Sequence, residues 1–162
     1  MMRHVFLMVL CVAAFLPVVG QQAQPELQTV RVRGFSLQLR ERDGKCVLEY
    51  GGRHKGELPL GIPAPCQFVP DDKKSTPQHF TYKGWGNPTV LIALGWRPET
   101  LHPNPQYPKD CRTLVRGILV RKNGVTLSPE ASVGGASYCP GVSLDEKDYN
   151  VFASSQHYQN NK

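Results

Sequence analysis

The stretch "TVRVRGFSLQLRERDGKCVLEY", Thr29 to Tyr50, decides the fold class of this chain. Its apolar residues recur every second position, the period of a half-buried strand. Val30 and Val32 share one parity, and Phe35, Leu37 and Leu39 share the other. The phase slips at Gly34, which reads as a β-bulge or a strand bend. Asp43-Gly44 supplies a tight hairpin turn, and Cys46, Leu48 and Tyr50 alternate on the return strand. Arg31 and Arg33 fall opposite the valines, on a solvated face.

The same period continues outward. "GGRHKGELPLGIPAP" is rich in loop residues, with room for one short strand. Cys66 to Val69 reads as another, before the polar connector "PDDKKSTP". "QHFTYKG" alternates, and "PTVLIAL" is a nearly continuous apolar run, as a strand buried on both faces requires. "CRTLVRGILVRKNGVTLS" reads as a second hairpin turning at Asn123-Gly124. Helical signals gather near the end. Ser143 and Glu146 have capping-box spacing, and Asp145, Glu146 and Asp148 place negative charge where a helix dipole favours it. Leu144, Val151 and Phe152 lie close to one face of a helix expected over 144–154. The expectation is a mostly β domain over residues 28–155: a small antiparallel barrel or sandwich of about seven strands with one C-terminal helix. Residues 156–162 are expected to fray.

The N-terminus and the cysteines bound the compartment. "MMRH" is followed by an apolar run, Val5 to Leu16, too short to span a bilayer. Pro17 ends it, and Val18 and Gly20 are small residues of the kind a signal peptidase reads, so residues 1–20 are expected to be a signal peptide and 21–27 a flexible segment. No later stretch is long or apolar enough for a membrane helix. Cys46, Cys66, Cys111 and Cys139 remain, an even number that reads as two disulfides in a secreted or periplasmic chain. Of the three connectivities, the local one is favoured: Cys46 with Cys66, and Cys111 with Cys139. A zinc site is disfavoured because no C-x-x-C spacing occurs, and the histidines show no H-x-H or H-x-x-x-H pair. No metal or other cofactor is expected.

The net charge is +6, lower by one once Arg3 leaves with the leader. It is spread along the chain, weakly favours an acidic partner, and contains no basic block of the kind that binds nucleic acid. For function, two classes compete. "SVGGASYCPGVSLDE", residues 132–146, holds Ser137 beside adjacent glycines, which raises a small secreted hydrolase using Ser137 with a histidine. It lacks the G-x-S-x-G elbow, and no motif ties His54, His79, His102 or His157 to the serine, so no catalytic residue is assigned. The favoured class is a non-catalytic binding protein, an inhibitor or immunity-type protein acting on a protein or glycan. Trp85 and Trp96, in "GWGNPT" and "GWRPET", bracket the apolar strand. An aromatic ring beside a cation suits a sugar face or a protein anchor. From Arg97 to Asp110 a proline-rich loop carries Pro98, Pro103, Pro105 and Pro108, longer than an ordinary connection. The expected binding surface joins Trp85, Trp96, Arg97, Tyr107 and Arg112; Arg116 shares a strand face with Arg112 but also with Leu114 and Ile118, which suggests internal pairing.

Overall fold

The structure, a computed structural model, describes residues 28–97, 111, 113–129, 132–133 and 138–159. The expected signal peptide, the residue 21–27 segment and most of the proline-rich loop lie outside these residues. The described chain is an antiparallel sandwich with a helix on its outer side, giving three layers.

The first sheet is a meander of β1 (Thr29–Val32), β2 (Phe35–Arg42), β3 (Lys45–Gly51) and β4 (Gly56–Pro63), in that spatial order. Gly34 marks a turn, not a bulge. Val32 pairs directly with Phe35, and Arg33 and Gly34 both have positive φ, 51° and 82°. That is the type I′ geometry whose twist matches a hairpin. Asp43 and Gly44 repeat it at the next turn, with φ of 51° and 70°. The proline-containing stretch after Gly56 is a full eight-residue strand, not a loop with a short strand. Its prolines are tolerated because β4 is an edge strand.

The second sheet is built on β9 (Thr89–Gly95) and β10 (Leu114–Arg121), paired from Thr89↔Val120 to Gly95↔Leu114. Each flanking column is made of two short pieces. On the β9 side lie β5 (Cys66–Phe68) and β8 (His79–Thr81). Between them the Val69 N–H donates to Ile92 O at 3.0 Å, and the Gln78 N–H to Val69 O at 2.8 Å. The eight residues from Pro70 to Pro77 leave this column as a side hairpin, β6 (Pro70–Asp71) and β7 (Lys74–Pro77). The segment expected as a polar connector is therefore a hairpin, its tip closed by the Lys73 N–H donating to Asp71 Oδ1 at 2.9 Å.

On the β10 side lie β11 (Gly124–Leu127) and β12 (Ser132–Val133). Arg121 pairs with Gly124, so Lys122 and Asn123 form the turn, one residue before the expected Asn123-Gly124. Among the described residues there are thus twelve strand segments, not about seven, because both outer columns of the second sheet are interrupted. The sheets remain an open sandwich and do not close into a barrel.

The apolar run is buried on both faces, as its composition required. Leu91 and Ala93 join Phe35, Leu37, Leu39, Leu48, Leu60, Ile62, Phe68, Ile118 and Val120 between the sheets. Val90, Ile92 and Leu94 join Trp96, Val115 and Leu119 under the helix, with Leu144, Tyr149, Phe152 and Ala153. The disulfide Cys46–Cys66 links the sheets through β3 and β5, and Cys111–Cys139 ties the approach to β10 to the segment leading into the helix. Both pairings are the local ones.

Helix α1 runs Glu146–Gln159, beginning two residues later and ending five residues later than expected. Its N-terminal box is shifted accordingly. The Asp145 N–H donates to Asp148 Oδ2 at 3.1 Å, and the Asp148 N–H donates to Asp145 O at 3.0 Å, so Asp145 stands where Ser143 was expected. Ser143 loses the position because Leu144 is held to the sheet in an extended conformation. The Gln78 side chain provides the hold. Its Oε1 accepts from the Leu144 N–H at 3.1 Å, and its Nε2 donates to Leu144 O at 3.0 Å. The buried Tyr149 hydroxyl donates to the same Oε1 at 3.0 Å. At the far end no glycine or proline follows Ala153 to break the helix, so it continues to Gln159.

Gly117 sets how closely the helix approaches. A Cβ there would lie 2.6 Å from the Phe152 ring, well inside contact distance. Gly117→Ala is expected to destabilise the protein by about 1–3 kcal/mol through overpacking. Combined with Phe152→Ala, the loss should be smaller than the sum of the two single losses, since the clash is then gone. Chemical denaturation of the four proteins in the cycle measures this. A second expectation concerns Gln78: its replacement by Leu leaves the Leu144 backbone and the Tyr149 hydroxyl unpaired and should cost about 2–4 kcal/mol in the same assay.

Candidate functional site

At the end of the sandwich where β2 turns into β3, three chain segments converge around an open groove of about 610 Å³. The first is the hairpin tip, Asp43, Gly44 and Lys45. The second is the end of β4 and the bend after it, Gly61, Ile62, Pro63 and Ala64. The third comprises Arg97, just past β9, and Leu114, the first residue of β10. The Ala64 N–H donates to Gly44 O at 3.0 Å and fastens the hairpin tip to the bend. Cys46 and Cys66, one residue beyond the tip and two beyond Ala64, are joined by the inter-sheet disulfide. The frame of the groove is therefore held covalently.

Its chemistry is divided. Ile62 is fully buried, and Pro63, Ala64 and Leu114 are half-buried, which gives an apolar floor. Lys45 and Arg97 are exposed and bring positive charge to the rim, with Asp43 beside the tip. The described lining pairs apolar contact with two cations. Such a surface can seat an extended segment carrying an acidic group. Of the three described residues expected to bind, Trp85, Trp96 and Arg97, only Arg97 lines it. Sequence reasoning missed Lys45 and Asp43, although a signal existed: the turn at Asp43-Gly44 next to Cys46, with Cys46 bonded to Cys66, already brings the tip to Pro63 and Ala64.

The two tryptophans separate. Trp96 is only 3% exposed and sits under the helix with Val90, Ile92 and Leu94. The Trp96 backbone N–H donates to Pro65 O at 3.3 Å, which anchors the chain as it enters the groove at Arg97. Trp85 is half-buried in a 3₁₀ turn, Lys83–Trp85, and its Nε1 donates to Asn150 Oδ1 of α1 at 3.0 Å. Tyr107, Arg112 and Ser137 lie outside the described residues. His54 and His79 are exposed, and the His79 ring nitrogen Nδ1 lies 3.2 Å from Pro77 O. Arg116 is half-buried, with Nη2 donating to Pro129 O at 3.5 Å. No group of histidine, cysteine, aspartate or glutamate that could hold a metal occurs among the described residues.

Around the start of α1 stands a collar of aromatic rings. Tyr82 Oη donates to Glu146 O at 2.7 Å, and Phe80 meets Tyr149 edge to face with centroids 4.9 Å apart. Burial pushes the Tyr82 phenol up to about 12, helped by the charges of Glu146 and Asp148. Burial does the same to Tyr138, also to about 12, with the Asp148 charge and a hydrogen bond to Asp148 adding to it. Tyr149 is raised further, again chiefly by burial. Each phenol is favoured in its neutral form, so Tyr82, Trp85, Tyr138 and Tyr149 fasten the helix to the sheet. Tyr138, whose backbone carbonyl also accepts from Thr113 Oγ1 at 2.5 Å, has a structural task.

No family model, no curated protein and no solved structure matches this chain.

The tyrosine shifts carry a definite sign. A phenol raised in the folded state contributes stability that is complete below its ordinary value of 10 and is lost as pH rises through the folded value. The denaturant midpoint should therefore fall between about pH 10 and 12 on account of these groups. In the native protein the phenolate absorbance of Tyr82 and Tyr138 should appear near 12, and difference titration against Tyr82→Phe and Tyr138→Phe assigns each one. Ionisation of either near 10 in the folded protein would contradict the helix–collar contacts.

Proposed function

We propose that this protein is a secreted or periplasmic binding protein of the inhibitor or immunity type, which holds an acidic segment of a protein or glycan partner in the groove at the β2–β3 end. The two disulfides match an oxidising compartment, and the N-terminal apolar run is consistent with export. No helix among the described residues is long and apolar enough to cross a membrane. One observation carries the reading: Lys45 and Arg97 lie over an apolar floor, on a frame closed by the Cys46–Cys66 bond. A rigid frame lowers the ordering cost of association, so a small surface can reach useful affinity. The rim charges attract and orient an acidic partner, while the floor supplies contact area.

The test is a pull-down from periplasmic or secreted extract with the full chain as bait, followed by affinity measurement with the recovered partner. Replacing Lys45 and Arg97 together by Glu should weaken binding at least tenfold and make the residual binding less sensitive to salt. Lys73→Glu/Lys74→Glu, the same change of net charge on the side hairpin, should leave it unchanged. A partner held equally by both variants would show that the groove is not the binding surface.

A further inference from the structure

The opposite end of the sandwich collects cations that are far apart in the chain. Strands β2 and β9 run from this end towards the groove, and β10 runs back to it, so the turns here belong to one surface. Arg33 stands in the β1–β2 turn. Arg53, His54 and Lys55 form the β3–β4 loop, between Tyr50 and Gly56, which pair directly. Lys83 lies in the 3₁₀ turn leading to Pro88 and β9. Arg121 ends β10, and Lys122 is in the following turn, beyond the Thr89↔Val120 pair.

At this pole Arg33 Nη1 reaches across to the second sheet and donates to Asn87 O at 2.9 Å, while within the first sheet Gly52 lies against the backbone of Gly34. Arg53, His54, Lys55, Lys83 and Lys122 are exposed, and Arg33 and Arg121 are half-buried.

Most carboxylates of the described residues are elsewhere, and those at the start of the helix border the pole on the side of Lys83, whose neighbours Tyr82 and Trp85 donate hydrogen bonds to Glu146 and Asn150. Glu41 and Asp43 lie towards the groove. Glu49 and Glu57 share the outer face of the first sheet with Arg40 and Arg42, and Glu57 is gripped by both terminal nitrogens of Arg42, at 2.6 and 2.9 Å. Asp71 and Asp72 are on the side hairpin, and Asp145, Glu146 and Asp148 are at the start of the helix. Among the described residues, none of the six lysines and arginines of this pole takes part in an ion pair. Six of the fifteen described lysines and arginines, far apart in the chain, thus stand at one end.

We propose that this pole is a second binding surface, independent of the groove, and that it docks on a linear polyanionic glycan. Cations delivered by separate turns match charges repeated along a polymer, and their summed field draws such a partner in. Insertion into a lipid surface fits less well, because membrane-seated surfaces present large apolar side chains beside their cations. The exposed large apolar residues among those described, Val142 and Val151, are on the helix side. Attachment by this end would leave the groove facing outward.

Heparin, a sulfated glycan, is the probe. The full chain should bind it at low ionic strength and release it as NaCl rises. Arg53→Glu/Lys55→Glu/Lys122→Glu changes exposed turn positions and should weaken binding at least tenfold; the corresponding triple Ala variant should lose less. Lys73→Glu/Lys74→Glu/Lys147→Glu carries the same change of net charge elsewhere and should bind like the unaltered protein. Equal losses in the two Glu triples would reduce the effect to net charge and overturn the proposal. So would absence of heparin binding, or preferential binding to phosphatidylglycerol vesicles.

Discussion

Strand β9 is the member on which the other layers depend. Its side chains from Val90 to Leu94 are fully buried, alternating between the inter-sheet core and the helix interface. Antiparallel sheets often leave one face to solvent, and here the first sheet does so, with Arg40, Arg42, Glu49 and Glu57 paired across its outer surface. The second sheet has no such freedom. Burial requires its neighbours to present apolar surface or paired polar groups, and Gln67 of β5 departs from this, its Nε2 buried without a hydrogen-bond partner among the described residues. That requirement explains why Gln78 pairs with both backbone groups of Leu144, and why position 117 has no side chain beneath Phe152.

The helix itself contributes little amphipathic drive, and its docking rests on specific contacts. Tyr149 and Phe152 enter the core, while Tyr82, Trp85 and Tyr138 meet polar groups along its first turns. This arrangement spends on architecture several residues that look chemical in the sequence. At the two ends of the sandwich, turns and strand termini gather cations, and among the described residues the lysines and arginines of the pole opposite the groove take part in no ion pair. One end has a disulfide-framed groove with an apolar floor. The other is a set of turns rich in arginine and lysine. The two ends are separated by the length of the strands, so the two proposed surfaces do not overlap.

Much of the fold was legible because its signals are local. Alternation in Thr29–Tyr50 needs only the two-residue period of a strand, and Asp43-Gly44 needs only the left-handed preference of its turn. The uninterrupted apolar run announced burial on two faces. Other readings failed where distant chain decided the outcome. Gly34 became a turn because Val32 and Phe35 pair with each other. Ser143 yielded the helix start to Asp145 because Gln78, far away in sequence, holds Leu144 extended. The column formed by β5 and β8 could not be read as one, since a hairpin interrupts it and only pairing with β9 reunites the pieces.

The candidate surfaces divide in the same way. Arg97 was visible as a cation beside an aromatic and a long loop, but Trp96 next to it was assigned to the same surface and is instead buried. Neighbours on a strand end point in different directions, and the sequence does not say which direction is solvent. By itself the sequence determined the β class, the turn at Asp43-Gly44, and a cysteine set suited to two local disulfides. The tertiary structure decided which tryptophan reaches the core, which side chains line the groove, and that unpaired cations meet at one end. The reason is physical: strand period and turn geometry act over a few residues, whereas a surface is assembled by pairing between residues far apart in the chain.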